Sequence, residues 1–405
     1  MKTIAVIGAF DTKGREFSYL RDRIEEYGAH PLMIDVGVLG EPQFRPDITA
    51  VEIADLSGTG LRRLREQRNR KAANDAMIRG IKAMVEKLHR EGRIQGAVSM
   101  GGGQGTHIAA SAMSALPIGF PKVILSTVAT VAHAQSHFED INDTMVMNSL
   151  VDIQGLNYLL RSSIRETAAA VVGLARNAEI LSLPAGAGKR IAMSMFGITT
   201  PCVSGIQEKL ERNGYEALVF HTTGMGGRIM EKAIRTGLVD GVIDVTLGEI
   251  TSDVFGIPGG AGGDRLCTAG KKGIPQIIVP GAVDVLNFMP PETMPPAYEG
   301  RKYLMHNTDL KVVRTNIEEN KILGEDIARR LNYSTGKTVV IIPLRGVSAN
   351  DCEGKEFYSP EADRELFKTM RKNLKPQIEV IELDYHINAP EFADYAARFM
   401  MEEML

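Results

Sequence analysis

Two short apolar runs in this sequence end in the residue types that hold phosphate. Thr3 to Ile7 runs into Gly8-Ala9-Phe10-Asp11-Thr12-Lys13-Gly14, and Ile94 to Met100 runs into Gly101-Gly102-Gly103-Gln104-Gly105-Thr106; helical spacing follows each. Glycine lets backbone N–H groups approach an anion closely, and the positive end of the next helix adds to the attraction. In the first turn Thr12 offers a hydroxyl and Lys13 an ammonium to phosphate oxygens, and Asp11 is a candidate to hold Mg²⁺ through water. The spacing matches neither the dinucleotide fingerprint nor the usual P-loop, so a tight strand-to-helix turn is the competing explanation. Three successive glycines at 101–103 are costly in backbone entropy and make the stronger signal for contact with an anion or a ribose.

Other polar residues fall at strand ends. Asp35 closes a second strand about 24 residues after Asp11, where dinucleotide folds place a ribose-binding acid, with capping or turn formation as the alternative. Ser126-Thr127-Val128-Ala129 brings hydroxyls to the end of another strand, where they serve a ligand or cap a short helix. In the second half His221 opens Thr222-Thr223-Gly224-Met225-Gly226-Gly227-Arg228, a further strand-turn-helix cradle with an imidazole suited to acid/base work. Asp244 and Glu249 end the next strand, and Asp264 and Arg265 follow a glycine cluster. Together they suggest a second pocket for a small anionic metabolite, against capping and salt bridging. His306, Asp309, Arg345 and Asp351 could join it. Cys202, just after Pro201 at a helix start, is either an activated thiol or an inert core one.

These residues need elements to position them, and strand-like runs alternate with helical periods along the whole chain. That alternation predicts an α/β protein with two Rossmann-like domains, each a mainly parallel sheet flanked by helices. Strands are expected at 3–7, 31–36, 95–100, 122–126 and 144–147, with helices at 15–27, 63–90, 104–115 and 153–177. After the small-residue stretch Leu183 to Gly188 the pattern restarts, which places domains at 1–184 and 185–405. In the second, strands are expected at 190–195, 217–220, 241–245, 276–279, 338–342 and 379–383. The stretch from Asp284 to Asp309, with Pro290, Pro291, Pro295 and Pro296, exceeds ordinary loop length and reads as a lid or interface arm. Gly188-Lys189 imitates a P-loop, but Leu183 replaces its first glycine and Arg190 its hydroxyl residue.

Composition narrows the classes. A net charge of −3 over 405 residues gives no global basic field for nucleic acid. The basic run Arg62, Arg63, Arg65, Arg68, Arg70 and Lys71 is either a solvated helix face or a phosphate-facing patch beside the first domain's cleft. Three widely spaced cysteines fit a reducing compartment, so the expectation is a cytoplasmic chain. No apolar segment is long enough to span a bilayer.

The segments Ile7–Lys13, Gly101–Thr106, Pro117–Ala129, Val151–Asn157, Phe220–Gly227 and Gly262–Leu266, in this order, resemble the Tm-one-like ATP-binding family. The resemblance implies ATP as ligand of the first domain and self-association as a dimer. By position it carries nucleotide contacts onto Phe10, Asp11, Thr12 and Lys13, onto Gly102, Gly103, Gln104, Gly105 and Thr106, and onto Thr127, Val128 and Ala129. The resulting expectation is an ATP-binding enzyme acting on a small anionic metabolite near the domain cleft. His221 would be its acid/base, Asp244, Glu249 and Asp264 its carboxylates, and Arg265 its anion ligand. The alternative is a non-catalytic ATP-dependent switch or inhibitor acting through protein partners.

Overall fold

Parallel strands that are apolar at every position must be covered on both faces, and the first strand here is fully buried from Ile4 to Ile7. Its side chains alternate, with Ala5 and Ile7 entering one core and Ile4 and Val6 the other. The computed structural model describes residues 1–130, 143–178 and 188–405, and the chain divides into units 1–183 and 184–405. The linking stretch from Leu183 to Ala187 lies outside the described residues.

Unit one runs β1 (Thr3–Gly8), α1 (Phe10–Glu26), β2 (His30–Asp35), α2 (Ala50–Leu56), α3 (Leu61–Gln67), α4 (Arg70–Arg90), β3 (Gly96–Gly101), α5 (Gly103–Ser114), β4 (Lys122–Ser126), β5 (Met145–Asn148) and α6 (Tyr158–Asn177). Its sheet is parallel in the order β2-β1-β3-β4-β5. Three boundaries differ from expectation. Helix α1 starts at Phe10 rather than Arg15 and absorbs the irregularity as a kink at Lys13 (φ −125°, ψ 23°). The helix expected over 63–90 is two helices, because Arg68 turns left-handed (φ 48°) and the Asn69 side chain caps α4 by accepting from Ala72 N at 3.0 Å. Helix α6 begins at Tyr158 rather than Ile153, capped by Asn157.

Unit two runs β6 (Arg190–Met195), α7 (Thr200–Arg212), β7 (Glu216–His221), α8 (Met225–Arg235), β8 (Gly241–Thr246), α9 (Gly248–Phe255), α10 (Thr268–Lys271), β9 (Gln276–Gly281), β10 (Val285–Phe288), β11 (Tyr303–Met305), β12 (Lys311–Arg314), α11 (Ile317–Leu331), β13 (Thr338–Pro343), α12 (Pro360–Asn373), β14 (Glu379–Leu383) and α13 (Pro390–Phe399). The main sheet is parallel in the order β14-β13-β9-β8-β6-β7. Each unit therefore winds outward from its first strand in the same way, and both are Rossmann-like.

The stretch expected to be irregular, 284–309, contributes β10 and β11 to a second sheet, antiparallel in the order β10-β12-β11, whose central strand β12 follows directly after it. Val285 and Val312 pack on Phe357, while Arg314 donates to Asp363 Oδ1 at 2.8 Å and to the Phe357 carbonyl at 2.8 Å. Asp284 and Asp351 are fully buried beside them. One cation thus faces three carboxylates. Burial, with Asp351 adding its charge, pushes the Asp363 carboxyl up to about 8; burial likewise pushes Asp284 up to about 6, against the pull of Arg314. The folded chain holds protons that an unfolded chain, with carboxyls near roughly 4, has released. The stability these groups contribute is present below about pH 4 and is lost as pH rises through about 8. The melting temperature is expected to fall between about pH 5 and 9 and to fall less steeply in Asp363→Asn, as read by scanning calorimetry. An unaltered slope in that variant would remove Asp363 from the effect.

Candidate nucleotide site

In a doubly wound sheet the chain leaves the first strand in both directions, and a crevice opens at the strand C-termini where the order reverses. In unit one that point lies between β1 and β3, and a cavity of about 730 Å³ occupies it. Gly8, Ala9, Asp11, Thr12 and Lys13 wall one side, and the turn from Gly101 to Gly105 walls the next. Two helices, α1 and α5, direct their N-terminal ends here, where backbone N–H groups lack intrahelical acceptors.

The glycines work by proximity. None of those at 101–105 has a positive φ. A Cβ on Gly101 would lie 2.7 Å from Gly105 Cα, so that pair closes the turn, whereas a Cβ on Gly103 would meet nothing within 4 Å. Gly103 leaves space on the cavity side that any other residue would fill.

Helices α3 and α4 supply a third wall, including Leu64, Arg65, Arg68, Asn69, Arg70, Asn74 and Met77. Four basic residues (Lys13, Arg65, Arg68, Arg70) thus face a single acid, Asp11, on the lining. Three members of the basic run belong to the cavity, while Arg62 is an exposed partner of Glu66. Asn74 and the apolar lining residues Val36, Val38 and Ile108 were missed in the sequence. No local signal marks them: Val36, Val38 and Asn74 enter the wall from segments remote from the two glycine turns, and Ile108 on α5 looks like any other apolar helix residue.

Several expected contacts are framework instead. Asp35 is 2 % exposed and absent from the lining; its Oδ1 accepts from Phe10 N at 3.0 Å and Gly37 N at 2.9 Å, tying the end of β2 to the start of α1. Burial raises its carboxyl above the ordinary range despite those two bonds. A ribose has no access to it. The Phe10 ring is buried against Phe17 and Phe44. Thr106 and Ser126 are buried and bond each other at 2.8 Å, with Ser126 Oγ also accepting from Val128 N. Thr127, Val128 and Ala129 follow β4 at the same sheet edge, half-buried, and are not on the cavity wall. Asp11 Oδ2 accepts from Leu39 N and Gly40 N at 2.8 and 3.0 Å, and its Oδ1 is buried without a partner.

Unit two has the same topological switch, between β6 and β8, and fills it with its own side chains. Thr199 and Thr246 hydroxyls meet at 2.7 Å. Arg265 is fully buried, donating to both Asp244 oxygens, to Glu249 Oε2 at 3.0 Å and to the Thr246 carbonyl at 3.2 Å, with Glu231 at 3.9 Å. Asp244 takes a further bond from Ser194 Oγ at 2.5 Å, and Glu249 Oε1 accepts from Gly224 N and Gly227 N at 2.7 and 3.0 Å. The residues expected to be catalytic, Asp244, Glu249 and Arg265, are therefore a saturated internal lock that fixes the turn after β7. Asp264 stands outside it as an exposed partner of Arg235 at 2.7 Å, and Arg345 pairs with Asp384 at the surface. Cys202 is inert, since complete burial pushes its thiol far up.

His221 ends the edge strand β7, exposed and stacked on Phe196 with ring centroids 5.7 Å apart. Among the described residues its ring has no hydrogen-bond partner, so stacking on Phe196 is its main contact. His221→Asn is expected to move the melting temperature by no more than about 2 °C, the scale of a surface change of roughly 0.5 kcal/mol. A larger loss by differential scanning fluorimetry would show that the stacking holds the strand end.

Two family models match the chain: the N-terminal domain of an uncharacterised protein family (UPF0261) over residues 2–179 and its C-terminal domain over 188–404. A UPF0261 protein of Clostridium tetani is 40 % identical over 406 residues, covering 100 % of this chain and 99 % of its own. One from Mesorhizobium japonicum is 38 % identical, with 99 % of each chain covered. The ToMV resistance protein Tm-1 of Solanum lycopersicum is 37 % identical over 326 residues, 78 % of this chain and 43 % of that protein.

Proposed function

The chain belongs to the uncharacterised protein family UPF0261, and from the site in its first unit we propose that it binds ATP there. The reading is carried by one observation: the cavity between the ends of β1 and β3 joins two glycine-rich helix N-termini to a basic wall. Its volume falls within the usual range of small-molecule sites, about 300–1,000 Å³, and Val36, Val38, Ala73, Met77 and Ile108 give it an apolar side for a base. The resemblance to the ATP-binding family selects ATP among nucleotides. Asp11 Oδ1, an acceptor without a donor, is the oxygen that would receive Mg²⁺ arriving with the phosphates.

The second unit favours a nucleotide-dependent switch over catalysis by the residues first considered, because Asp244, Glu249 and Arg265 are spent on one another. A partner protein then takes the place of a small anionic metabolite as the second ligand, in keeping with the resistance phenotype named for the tomato relative. Self-association as a dimer, implied by the resemblance, belongs to the same reading. No helix among the described residues is long and apolar enough to cross a membrane. Three free cysteines suit a reducing cytoplasm.

ATP at a hundred times its dissociation constant is expected to stabilise the chain by about 2.7 kcal/mol, a shift of several degrees in melting temperature. Calorimetric titration of the full chain with ATP, with and without Mg²⁺, is the direct measurement. No heat and no thermal shift from any nucleotide would end this reading.

A further inference from the structure

The four cations on the cavity wall are not equivalent. Arg65 is spent on the protein: its guanidinium bonds Glu41 at 2.8 Å and the carbonyls of Val38 and Gly40 at 3.2 and 2.6 Å. It thereby shapes the loop whose Leu39 and Gly40 N–H groups hold Asp11. Arg68 has no side-chain hydrogen bond or ion pair among the described residues. It sits in a left-handed conformation (φ 48°) that side chains rarely adopt, at the break between α3 and α4.

Arg70 is positioned but not used up. Its Nε donates to Gln104 Oε1 at 2.7 Å, and Gln104 Nε2 in turn donates to Asn74 Oδ1 at 2.7 Å. Gln104 lies in the first turn of α5, beside the N–H groups that would take a phosphate. The chain Asn74–Gln104–Arg70 therefore sets a guanidinium next to the glycine turn, with no protein acceptor for its two terminal nitrogens among the described residues. A planar fork with free terminal nitrogens is the group that binds phosphate by two bonds at once.

We propose that Arg68 and Arg70 read the length of the ligand's phosphate chain, so that the site prefers a nucleoside triphosphate to the monophosphate. The proposal rests on the nucleotide reading above and adds a division of labour to it. Helix N-termini and Lys13 hold the first phosphate, and the α3–α4 break supplies the charge for those beyond it. A single phosphate seated on the α5 N–H groups is already met by those donors and Lys13; both arginines are exposed, and a longer chain carries further negative charge toward them.

The test is calorimetric titration of the full chain with AMP, ADP and ATP at fixed ionic strength, for wild type, Arg68→Gln/Arg70→Gln and Arg70→Lys. The wild type is expected to bind ATP at least tenfold more tightly than AMP, the scale of one charge-assisted contact. In the double variant that ratio is expected to fall to within about threefold, with AMP affinity changed by less than about threefold. Arg70→Lys, which keeps charge and loses the fork, should lie between. Both side chains are exposed, so the ligand-free melting temperature should hold. A double variant that keeps the full ATP preference, or loses AMP and ATP in equal proportion, overturns the proposal. Equal wild-type affinity for all three nucleotides sinks the gauge alone, whereas a wild type that binds none sinks the nucleotide reading with it.

Discussion

Replacing Arg265 by Met is expected to destabilise the second unit by roughly 3–5 kcal/mol, the usual result of removing one partner from a buried ionic network. The reason is the company Arg265 keeps. Asp244, Glu249 and Glu231 are each no more than 3 % exposed and converge on the one guanidinium. Burial already holds the Glu231 carboxyl above its ordinary range, with Arg265 as the chief opposing influence. Without the cation these buried carboxylates lose their shared partner, which is the costly arrangement. Glu249 also fixes the backbone of Gly224 and Gly227, so the turn after β7 should loosen with it. Urea unfolding followed by circular dichroism measures the loss. Adding Asp244→Asn and Glu249→Gln to Arg265→Met should recover part of it, because neutral groups cost less to bury than unpaired charges. A loss below about 1 kcal/mol in the single variant would mean that the network contributes little net stability.

This network shows what the sequence does not reveal about the second unit. Asp244, Glu249 and Arg265 stand at or just beyond a strand C-terminus, where α/β proteins place catalytic groups, and their types suit a site. The sequence gives their position along the chain but not the identity of the groups across from them. Ser194, Thr246 and the Gly224 turn arrive from β6, β8 and the β7–α8 connection and leave no polar atom of the trio for a ligand. Asp35 makes the same point in unit one, since its expected ribose is replaced by two backbone N–H groups from Phe10 and Gly37.

What could be read was whatever a local pattern determines. Buried parallel strands are continuous apolar runs, and all five expected strands of unit one and all six of unit two correspond to observed ones within a few residues. Strands β10, β11 and β12 have three or four residues each among prolines, too short for a period to register. The glycine turn at 101–105 was legible because its chemistry is local. The arginine wall opposite was half legible, as a basic run with two possible faces. Which face Arg65, Arg68 and Arg70 present depends on the break at 68–69, and an Asn cap after a left-handed Arg carries little statistical signal.

Gly103→Val puts the cavity itself to the test, with an expected loss of ATP affinity of a hundredfold or more, about 2.7 kcal/mol. Val is chosen because nothing in the protein opposes it. Gly103 is the first residue of α5, has no positive φ, and has open space where its Cβ would be. The ligand-free melting temperature should therefore hold or rise slightly, since Gly is a poorer helix residue than Val. The branched side chain would instead fill the space a phosphate needs to approach the α5 N–H groups. Gly101→Ala is the contrasting case. Its Cβ would lie 2.7 Å from Gly105 Cα and 3.1 Å from Thr106 N, so that variant should lose stability as well as ligand. Thermal shift and calorimetry on the two variants separate a filled cavity from a broken turn. A soluble Gly103→Val chain that binds ATP as the wild type does would place the nucleotide elsewhere, because no ligand seated on the α5 N-terminus can share that space with two methyl groups.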